Sequence, residues 1–220
     1  MKVLICDIGH LGEEFVERCR EVLPEWRREQ MDRFKHELGK VQCAVGWLLV
    51  WSCMIQEDGW NEKWTYNNYG KPYFDGRDDM FFSISHCRDA VAAVVAEEEV
   101  GIDIEEIGRY RESLVRYTLS DEEIDGINGI KGIDKEEFMR LWTRKEAAFK
   151  FYGTGITHEI KDILKREDVE IYSTKVGDSM WLSVAMGKKH GVRSLELEVE
   201  KVSVDEIYEI LEKRRKTVKK

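Results

Sequence analysis

The sequence predicts an α+β fold of two similar halves, residues 1–105 and 106–220. The length of 220 residues is enough for one large domain or two small ones, each with a proper core. Both halves contain segments with apolar residues at helical spacing and short apolar or alternating segments that are typical of strands. The composition, 42% hydrophobic and 36% charged, excludes a disordered chain. Each half therefore combines helices with a small, mostly antiparallel sheet.

The first half begins with a strand at residues 2–8, followed by helical spacing of apolar residues over 11–23. Pro24 starts a charged helix that we expect to run to Leu38. Residues 41–55 are almost all apolar and are too long for one strand, so they predict a buried helix.

Strands dominate the rest of the first half. The sequence pattern predicts three of them, at residues 64–66, 81–86 and 90–96. Residues 100–104 form a fourth, and the acidic residues 97–99 before it resemble a turn. We therefore expect 100–104 to pair with 90–96 as a hairpin.

The second half carries clear signals for helix ends. Ser120 and Glu123 fit a capping box. Asp134 begins a helix that Gly153 ends. The basic tail from Lys213 is expected to be a solvated, frayed end. The remaining elements are strands at 169–174, 180–186 and 194–200 and a closing helix at 204–213.

Charge and cysteine usage limit the possible functions. The net charge of −9 disfavours a general role on nucleic acids or membrane surfaces, which need a basic patch. The longest apolar stretch is shorter than the roughly 20 residues that span a membrane. The five cysteines are dispersed without metal-ligand spacing, which indicates free thiols in a reducing compartment. We expect a cytoplasmic, monomeric protein that binds neither nucleic acid nor membrane.

Lys145 breaks the pattern of the helix that ends at Gly153. On a helical wheel it lies in the middle of the apolar stripe, with Glu146 and Lys150 stacked on the edge. One interpretation is a lysine whose stem packs while its head reaches water. The other is a functional site, because local rules tend to be broken there. The stripe itself comprises Phe138, Leu141, Trp142, Ala148, Phe149 and Tyr152.

Asp103 and Glu105 lie two apart on a predicted strand and therefore share one face. Gly101 before them permits a close backbone approach. Two adjacent carboxylates repel each other, and a divalent cation relieves that repulsion. Glu146 could supply a third carboxylate, with Lys150 beside it. The alternative is a solvated acidic hairpin.

Four motifs occur in a characteristic order along the chain. Together they resemble the 4′-phosphopantetheinyl transferases, in particular the larger type represented by the surfactin-synthetase activator. The resemblance covers roughly residues 24–156 and implies a pseudo-twofold pair of α/β halves with the active site between them. The motifs are Gly70-Lys71-Pro72, Phe82-Ser83-Ile84-Ser85-His86, Val100-Gly101-Ile102-Asp103-Ile104-Glu105 and Trp142-Thr143-Arg144-Lys145-Glu146-Ala147-Ala148-Phe149-Lys150.

The resemblance implies transfer of the phosphopantetheine group of coenzyme A to a serine of an apo acyl or peptidyl carrier protein, with adenosine 3′,5′-bisphosphate as by-product. Asp103, Glu105 and Glu146 would hold Mg²⁺, or Mn²⁺ instead, on the coenzyme A diphosphate. Asp103, Glu146 and Lys150 would be the catalytic residues. Lys150 would take the serine proton itself, or act through Glu146 or a water.

The resemblance also implies how coenzyme A is bound. Gln30 and Gln42 stand where relatives carry basic residues, so the adenosine end is less well defined. Glu123 matches an acidic position near the metal, and its capping role explains it equally well. Residues expected to bind coenzyme A are Arg27, Arg28, Lys71, Ser85, His86 and Lys145. Arg109, Arg111 and Arg116 are candidates for a basic patch that binds an acidic carrier, or for a solvated loop.

Two other functions fit parts of the pattern. A magnesium-dependent phosphodiesterase or nuclease also combines Asp, Glu and Lys, although the acidic charge argues against it. An inactive homologue would bind coenzyme A or a carrier without transfer, which the altered positions Gln30 and Gln42 allow.

Overall fold

The fold is mixed α+β, as predicted, with several helices and sheets. The structure, a computed structural model, describes residues 1–57, 60–108, 111–129, 132–188 and 197–218. Short 3-10 helices follow the long helix of the second half at His158–Lys161 and Ile163–Lys165. The α-helices in the described ranges are α1 (Glu13–Arg20), α2 (Glu25–Asp32), α3 (Glu37–Met54), α4 (Glu112–Thr118), α5 (Asp121–Ile127), α6 (Lys135–Tyr152) and α7 (Val204–Val218).

The strands form two main sheets. The first has the order β11-β1-β5-β4, in which β11 runs parallel to β1, and the second has the order β6-β10-β9. Two short antiparallel pairs, β2–β3 and β7–β8, lie outside them. The strands are β1 (Lys2–Asp7), β2 (Trp64–Tyr66), β3 (Pro72–Phe74), β4 (Phe81–His86), β5 (Ala90–Ala96), β6 (Val100–Glu106), β7 (Asn128–Gly129), β8 (Gly132–Ile133), β9 (Val169–Val176), β10 (Met180–Gly187) and β11 (Val199–Val202).

Helix α3 is the centre of the first core. It is apolar on nearly all sides and buried among α1, α2, α7 and the first sheet, as the run of apolar residues predicts. All five cysteines are free, also as predicted. None of the helices in the described ranges is long and apolar enough to cross a bilayer.

Helix α6 packs on the second sheet and brings the two halves of the site together. Gly101 on β6 allows this contact, because a Cβ there would lie 2.1 Å from Ala147 O and 2.3 Å from Phe151 N. Asp134 accepts hydrogen bonds from the first-turn amides of α6, and Gly153 ends the helix at φ 66°. These helix ends agree with the prediction.

The predicted hairpin between residues 90–96 and 100–104 is wrong. Strand β6 pairs antiparallel with β10, whereas β5 pairs with β4 and β1. On its other edge, β6 donates to two side chains of β4: Ile102 N to Ser83 Oγ at 3.1 Å and Ile104 N to Ser85 Oγ at 3.3 Å. The chain therefore passes from one sheet to the other between β5 and β6.

Two helix predictions also need correction. The charged helix from Pro24 ends at Asp32 instead of Leu38, because His36 is extended and α3 starts at Glu37. The basic tail from Lys213, expected to be frayed, is helical as far as Val218. It belongs to α7, which buries Arg214. Residues 219 and 220 lie outside the described ranges.

The division at residues 105 and 106 stays a prediction, as does the pseudo-twofold relation. Strand pairing crosses that division in both directions. The last strand, β11, belongs to the first sheet, and β6 begins the second. Part of the strand predicted at 194–200 lies outside the described residues, and β11 occupies Val199–Val202.

Candidate active site

Asp103 lies at the centre of a buried hydrogen-bond network at the junction of the two sheets. Its Oδ1 accepts hydrogen bonds from Ser85 Oγ and from Lys150 Nζ, each at 2.7 Å. Lys150 Nζ also donates to Ser85 Oγ at 2.8 Å. Asp103 is 4% exposed, and its Oδ2 has no hydrogen-bond partner among the described residues. Strands β4 and β6 and helix α6 thus each contribute one side chain.

Two further carboxylates, Glu105 and Glu146, lie within the electrostatic reach of Asp103. Burial raises the pKa of Glu105 to about 7, the Asp103 charge adds to the rise, and a hydrogen bond from Trp142 and the Lys150 charge oppose it. Burial also raises the pKa of Glu146 to about 7, with Asp103 again adding and Lys150 opposing. The structure therefore brings the three predicted carboxylates into one charged neighbourhood.

The carboxylate set fits a hard divalent cation in its chemistry. Asp103 has a buried oxygen without a partner, and mutual repulsion with Glu105 and Glu146 is a cost that a cation would remove. In the described part of the chain, no three His, Cys, Asp or Glu side chains already converge as metal ligands. Binding would therefore require these side chains to rotate toward one another.

A cavity of about 260 Å³ opens beside these groups, between α6 and the β2–β3 hairpin. Glu146 and Lys150 form its charged wall, whereas Tyr69 and Ile156 are among its apolar residues and are exposed at 69% and 44%. A partly apolar pocket with a few charged groups at one side is typical of a small-molecule site.

Lys71 also lines this cavity, but its ammonium group is engaged within the protein. Nζ donates to Glu99 Oε2 and to the Phe151 carbonyl, the latter at 2.7 Å. Burial lowers its pKa, and the Glu99 carboxylate opposes that shift. Glu99 is a site neighbour that sequence reasoning missed, because it lies in the acidic run 97–99, which resembles an ordinary turn.

Ser85 and His86 end strand β4 and have different surroundings. Ser85 is buried inside the Asp103 network. The side chain of His86 is exposed at the surface. Neighbouring protein atoms still displace part of the solvent around its ring, and this effect, followed by the Lys150 charge, lowers its pKa. Of these two residues expected to bind phosphate, His86 is the one that solvent reaches.

Lys145 does not join the site, and the expectation that it binds coenzyme A phosphate is not supported. Its side chain is 0% exposed. Nζ donates to Glu123 Oε2 at 2.7 Å and to carbonyl oxygens of Thr118, Ile160 and Lys161. The apolar stripe is a true core face, and the lysine head is buried in it with a full set of acceptors.

Glu123 is correspondingly occupied. Its Oε2 accepts from Lys145 Nζ and from the Ser120 amide, and the reciprocal bond from the Glu123 amide to Ser120 Oγ completes the capping box. The helix-cap interpretation therefore describes this residue, and the buried lysine adds a second structural role. The sequence shows the cap but not the lysine, which lies 22 residues away.

Arg27 and Arg28 differ although they are adjacent. Arg27 is 7% exposed and donates to Gln30 Oε1 and to the Cys43 carbonyl. Its guanidinium therefore stabilises the packing of the first half. Arg28 is exposed and makes one long contact to the Arg20 carbonyl, at 3.4 Å. Only Arg28 of this pair is placed to meet a ligand.

The two glutamines have structural partners. Gln30 Nε2 donates to Tyr66 Oη at 2.9 Å, and Gln42 Nε2 donates to the Cys87 carbonyl at 2.8 Å, next to the end of β4. Two of the basic residues considered for a carrier patch lie at α4: Arg111 directly precedes its first residue, and Arg116 lies in its last turn. Arg109 lies outside the described residues.

Comparison with known proteins adds to this geometry. Residues 99–185, which contain Asp103, Glu105, Glu146 and Lys150, match the sequence model of the 4′-phosphopantetheinyl transferase superfamily. A 4′-phosphopantetheinyl transferase of Bacillus subtilis is 27% identical over 151 residues, covering 66% of this chain and 66% of the relative.

Two other relatives agree. The transferase Sfp of Bacillus subtilis strain 168 is 27% identical over 154 residues, covering 67% of both chains. The transferase AcpT of Escherichia coli K12 is 35% identical over 94 residues, covering 40% of this chain and 47% of the relative. The match thus spans about two thirds of the Bacillus proteins. The matched sequence model agrees with the predicted superfamily, and the names of these relatives agree with the predicted enzyme class.

Proposed function

We propose that this chain, whose residues 99–185 belong to the 4′-phosphopantetheinyl transferase superfamily, transfers the phosphopantetheine group of coenzyme A to a serine of an apo acyl or peptidyl carrier protein. The serine oxygen forms the new bond to phosphorus, the diphosphate bond of coenzyme A breaks, and adenosine 3′,5′-bisphosphate leaves. The observation that carries the proposal is the buried contact of Asp103 with Lys150, beside Glu105 and Glu146 and next to a cavity.

Charge at this site suits a diphosphate. Lys150 has a side chain that is 30% exposed, so its ammonium can stay on Asp103 and still meet a phosphate oxygen. His86 at the end of β4 and the exposed Arg28 are further contacts we assign to coenzyme A. Lys71 at the cavity would join them by exchanging Glu99 for a phosphate oxygen. Fixed positive charge aimed at developing negative charge is the main way such sites accelerate phosphoryl transfer.

Asp103, Glu105 and Glu146 are the residues that would hold Mg²⁺, and the bound ion would polarise the attacked phosphorus and neutralise the leaving phosphate. Glu146 lines the cavity, so we assign acceptance of the serine proton to it, directly or through a water. Lys150 donates two hydrogen bonds in the network, which suits stabilisation of charge better than proton acceptance.

The test is intact-mass analysis of a panel of apo carriers incubated with the protein, coenzyme A and Mg²⁺. We expect a carrier heavier by one phosphopantetheine. Asp103→Asn and Lys150→Ala should lower the rate by about 100-fold or more, since each removes charge from the reacting centre. Glu122→Gln is the matched control, because this carboxylate lies on α5 with its side chain 87% exposed.

The outcomes separate the alternatives. Wild-type rates in both site variants would contradict the site assignment. Tight carrier binding with no mass change under any metal would identify an inactive binding homologue. Release of nucleotides from DNA or RNA without carrier modification would identify a phosphodiesterase.

A further inference from the structure

The tip of the β2–β3 hairpin, residues 67–71, forms one wall of the cavity, and helix α6 forms another. Tyr69 and Lys71 line the cavity from the hairpin, whereas Glu146 and Lys150 line it from the helix. The separation of the hairpin tip and the helix therefore sets the width of the space that a ligand would fill.

Asn67 organises this tip through its side-chain oxygen. Its Oδ1 accepts hydrogen bonds from the amides of Tyr69 and Lys71, each at 2.9 Å. The backbone closes the same turn, because Asn67 N donates to the Lys71 carbonyl at 3.0 Å and Gly70 N donates to the Asn67 carbonyl at 3.1 Å. Both lone pairs of the amide oxygen are thus used inside the hairpin.

The side-chain nitrogen of Asn67 connects the tip to the end of α6. Nδ2 donates to the Gly153 carbonyl at 2.7 Å, across 86 residues of sequence. Gly153 ends α6 and packs so closely on the hairpin that a Cβ there would lie 2.8 Å from Lys71 Cδ and 3.1 Å from Asn67 Nδ2. The opposite orientation of the carboxamide would place a donor against two amides and an acceptor against a carbonyl, so the partners fix its orientation.

Lys71 also joins the hairpin to α6, through the Phe151 carbonyl at 2.7 Å. This contact starts from the same ammonium group that we assign to a coenzyme A phosphate, so ligand binding can change it. The contacts of the Asn67 carboxamide, by contrast, end at backbone groups of the turn and of Gly153. They can therefore hold the wall in place while the Lys71 ammonium exchanges partners.

We propose that Asn67 is a positioning residue for coenzyme A. Its carboxamide fixes the hairpin wall of the cavity to the end of α6 and thereby sets how coenzyme A fits between them. In the described structure its hydrogen bonds reach neither Asp103 nor Lys150. This inference rests on the proposed function, because it takes coenzyme A as the ligand of the cavity.

Asn67→Asp separates the two contacts of the carboxamide. It keeps the oxygen that accepts from the turn, but it replaces the donor to Gly153 by a carboxylate oxygen that faces a carbonyl. We expect KM for coenzyme A to rise about tenfold or more with kcat within about threefold, because ground state and transition state lose the same binding. Asn68→Asp is the matched control: it adds the same charge to the same turn at an exposed position and should raise KM by less than about threefold.

Asn67→Ala removes all three hydrogen bonds without adding a charge. It should raise KM for coenzyme A at least as much as Asn67→Asp, which retains the turn and serves if Asn67→Ala does not fold. Asn61→Ala is the control for this variant. Asn61 Oδ1 accepts from Lys63 N at 3.0 Å, which is the same kind of turn contact, but the residue precedes β2 and is not part of the tip. Its KM should stay within about twofold of wild type.

Two further measurements do not depend on activity. The dissociation constant of coenzyme A, measured by calorimetry without a carrier, should rise in the same order as KM. Amide hydrogen exchange at Tyr69 and Lys71 should speed up in Asn67→Ala and stay slow in Asn67→Asp, which keeps the acceptor. Failure of the wild-type protein to modify any carrier would refute the proposed function, and the order of the dissociation constants would still decide the inference.

Three results would overturn the inference. Equal rises of KM in Asn67→Asp and Asn68→Asp would show that added charge alone weakens binding. A loss of kcat in Asn67→Asp at unchanged KM would place the effect at the reacting centre instead of the cavity wall. Unchanged exchange at Tyr69 and Lys71 in Asn67→Ala would exclude the carboxamide as the acceptor of these amides.

Discussion

Burial determines what each of the three lysines expected at the site can do. The Lys145 side chain is 0% exposed, that of Lys71 is 5% exposed, and that of Lys150 is 30% exposed. Burial lowers the pKa of Lys145 and of Lys71, and each is held by a carboxylate partner, Glu123 or Glu99. Of the three, Lys150 combines a buried partner with a head that a substrate can reach without displacing it.

The pKa of Glu146 makes a prediction about stability. Burial and the Asp103 charge raise this pKa from 4.5 to about 7. Between those values the folded protein keeps a proton that the unfolded chain has lost, so stability falls as pH rises through that window. Glu146→Gln removes this loss and should be about 2 kcal/mol more stable than wild type at pH 8, relative to pH 5.

Urea unfolding at both pH values in the presence of a chelator measures this difference. Glu122→Gln, at an exposed carboxylate of α5, is the control and should follow wild type. If Mg²⁺ is bound as proposed, adding it at pH 8 should stabilise wild type more than Glu146→Gln. Parallel pH curves for wild type and Glu146→Gln would show that the carboxyl is not perturbed.

At the scale of elements, the site depends on how closely α6 approaches β6. The strand carries Asp103 and Glu105, and the helix carries Glu146 and Lys150, so the separation of the two backbones sets the geometry of all four charges. Gly101 makes the approach possible because it has no side chain at the point of contact.

Gly101→Ala should therefore be destabilising and should impair the reaction. The new Cβ would meet the backbone of α6 at 2.1 and 2.3 Å, and backbone cannot move aside as a flexible side chain can. We expect a loss of about 3 kcal/mol in the free energy of unfolding, together with a lower transfer rate because α6 carries Lys150 away from Asp103. Chemical unfolding and the carrier mass assay measure the two effects.

Gly126→Ala is the matched control. Gly126 lies in α5, and a Cβ added there would have nothing within 4 Å, so alanine fits and should add about 0.5–1 kcal/mol through its better helix propensity. Equal stability of Gly101→Ala and wild type would mean that the strand and helix are farther apart in solution.

At the scale of the whole molecule, the end of the chain completes the core at its beginning. Helix α7 places Ile207 and Leu211 in the first core, and β11 extends the first sheet beside β1. Arg214 donates to both oxygens of Glu62 and to the Val22 carbonyl, and it lies over the rings of Trp47 and Trp51. The second half of the sequence therefore returns to stabilise the first.

Arg214 and Arg215 offer a direct comparison of a buried and an exposed charge. Arg214→Met should cost about 3 kcal/mol, because Glu62 loses its bidentate partner. Arg215→Met should cost less than about 1 kcal/mol, because its side chain is 39% exposed and pairs with Glu21 on the surface. Thermal and urea unfolding check this order, and equal losses would contradict the role of Arg214 in the core.

Most of the elements and the chemistry of the site residues could be predicted from the sequence alone. Periodicity and helix ends come from neighbours along the chain, so the buried helix near residues 41–55, the cap at Asp134 and the stop at Gly153 were predictable. The two-residue spacing of Asp103 and Glu105 and the four-residue spacing of Glu146 and Lys150 followed in the same way. The order of the motifs gave the resemblance to the superfamily whose sequence model residues 99–185 match.

Which of these residues meet could not be predicted, because it depends on contacts between distant parts of the chain. Lys150 contacts Ser85 across 65 residues of sequence, Lys145 contacts Glu123 across 22, and Arg214 contacts Glu62 across 152. Strand pairing also depends on such distant contacts, which is why 100–104 joined β10 instead of the neighbouring strand. The local pattern shows that a side chain faces inward, but the partner it finds there depends on how the whole chain packs.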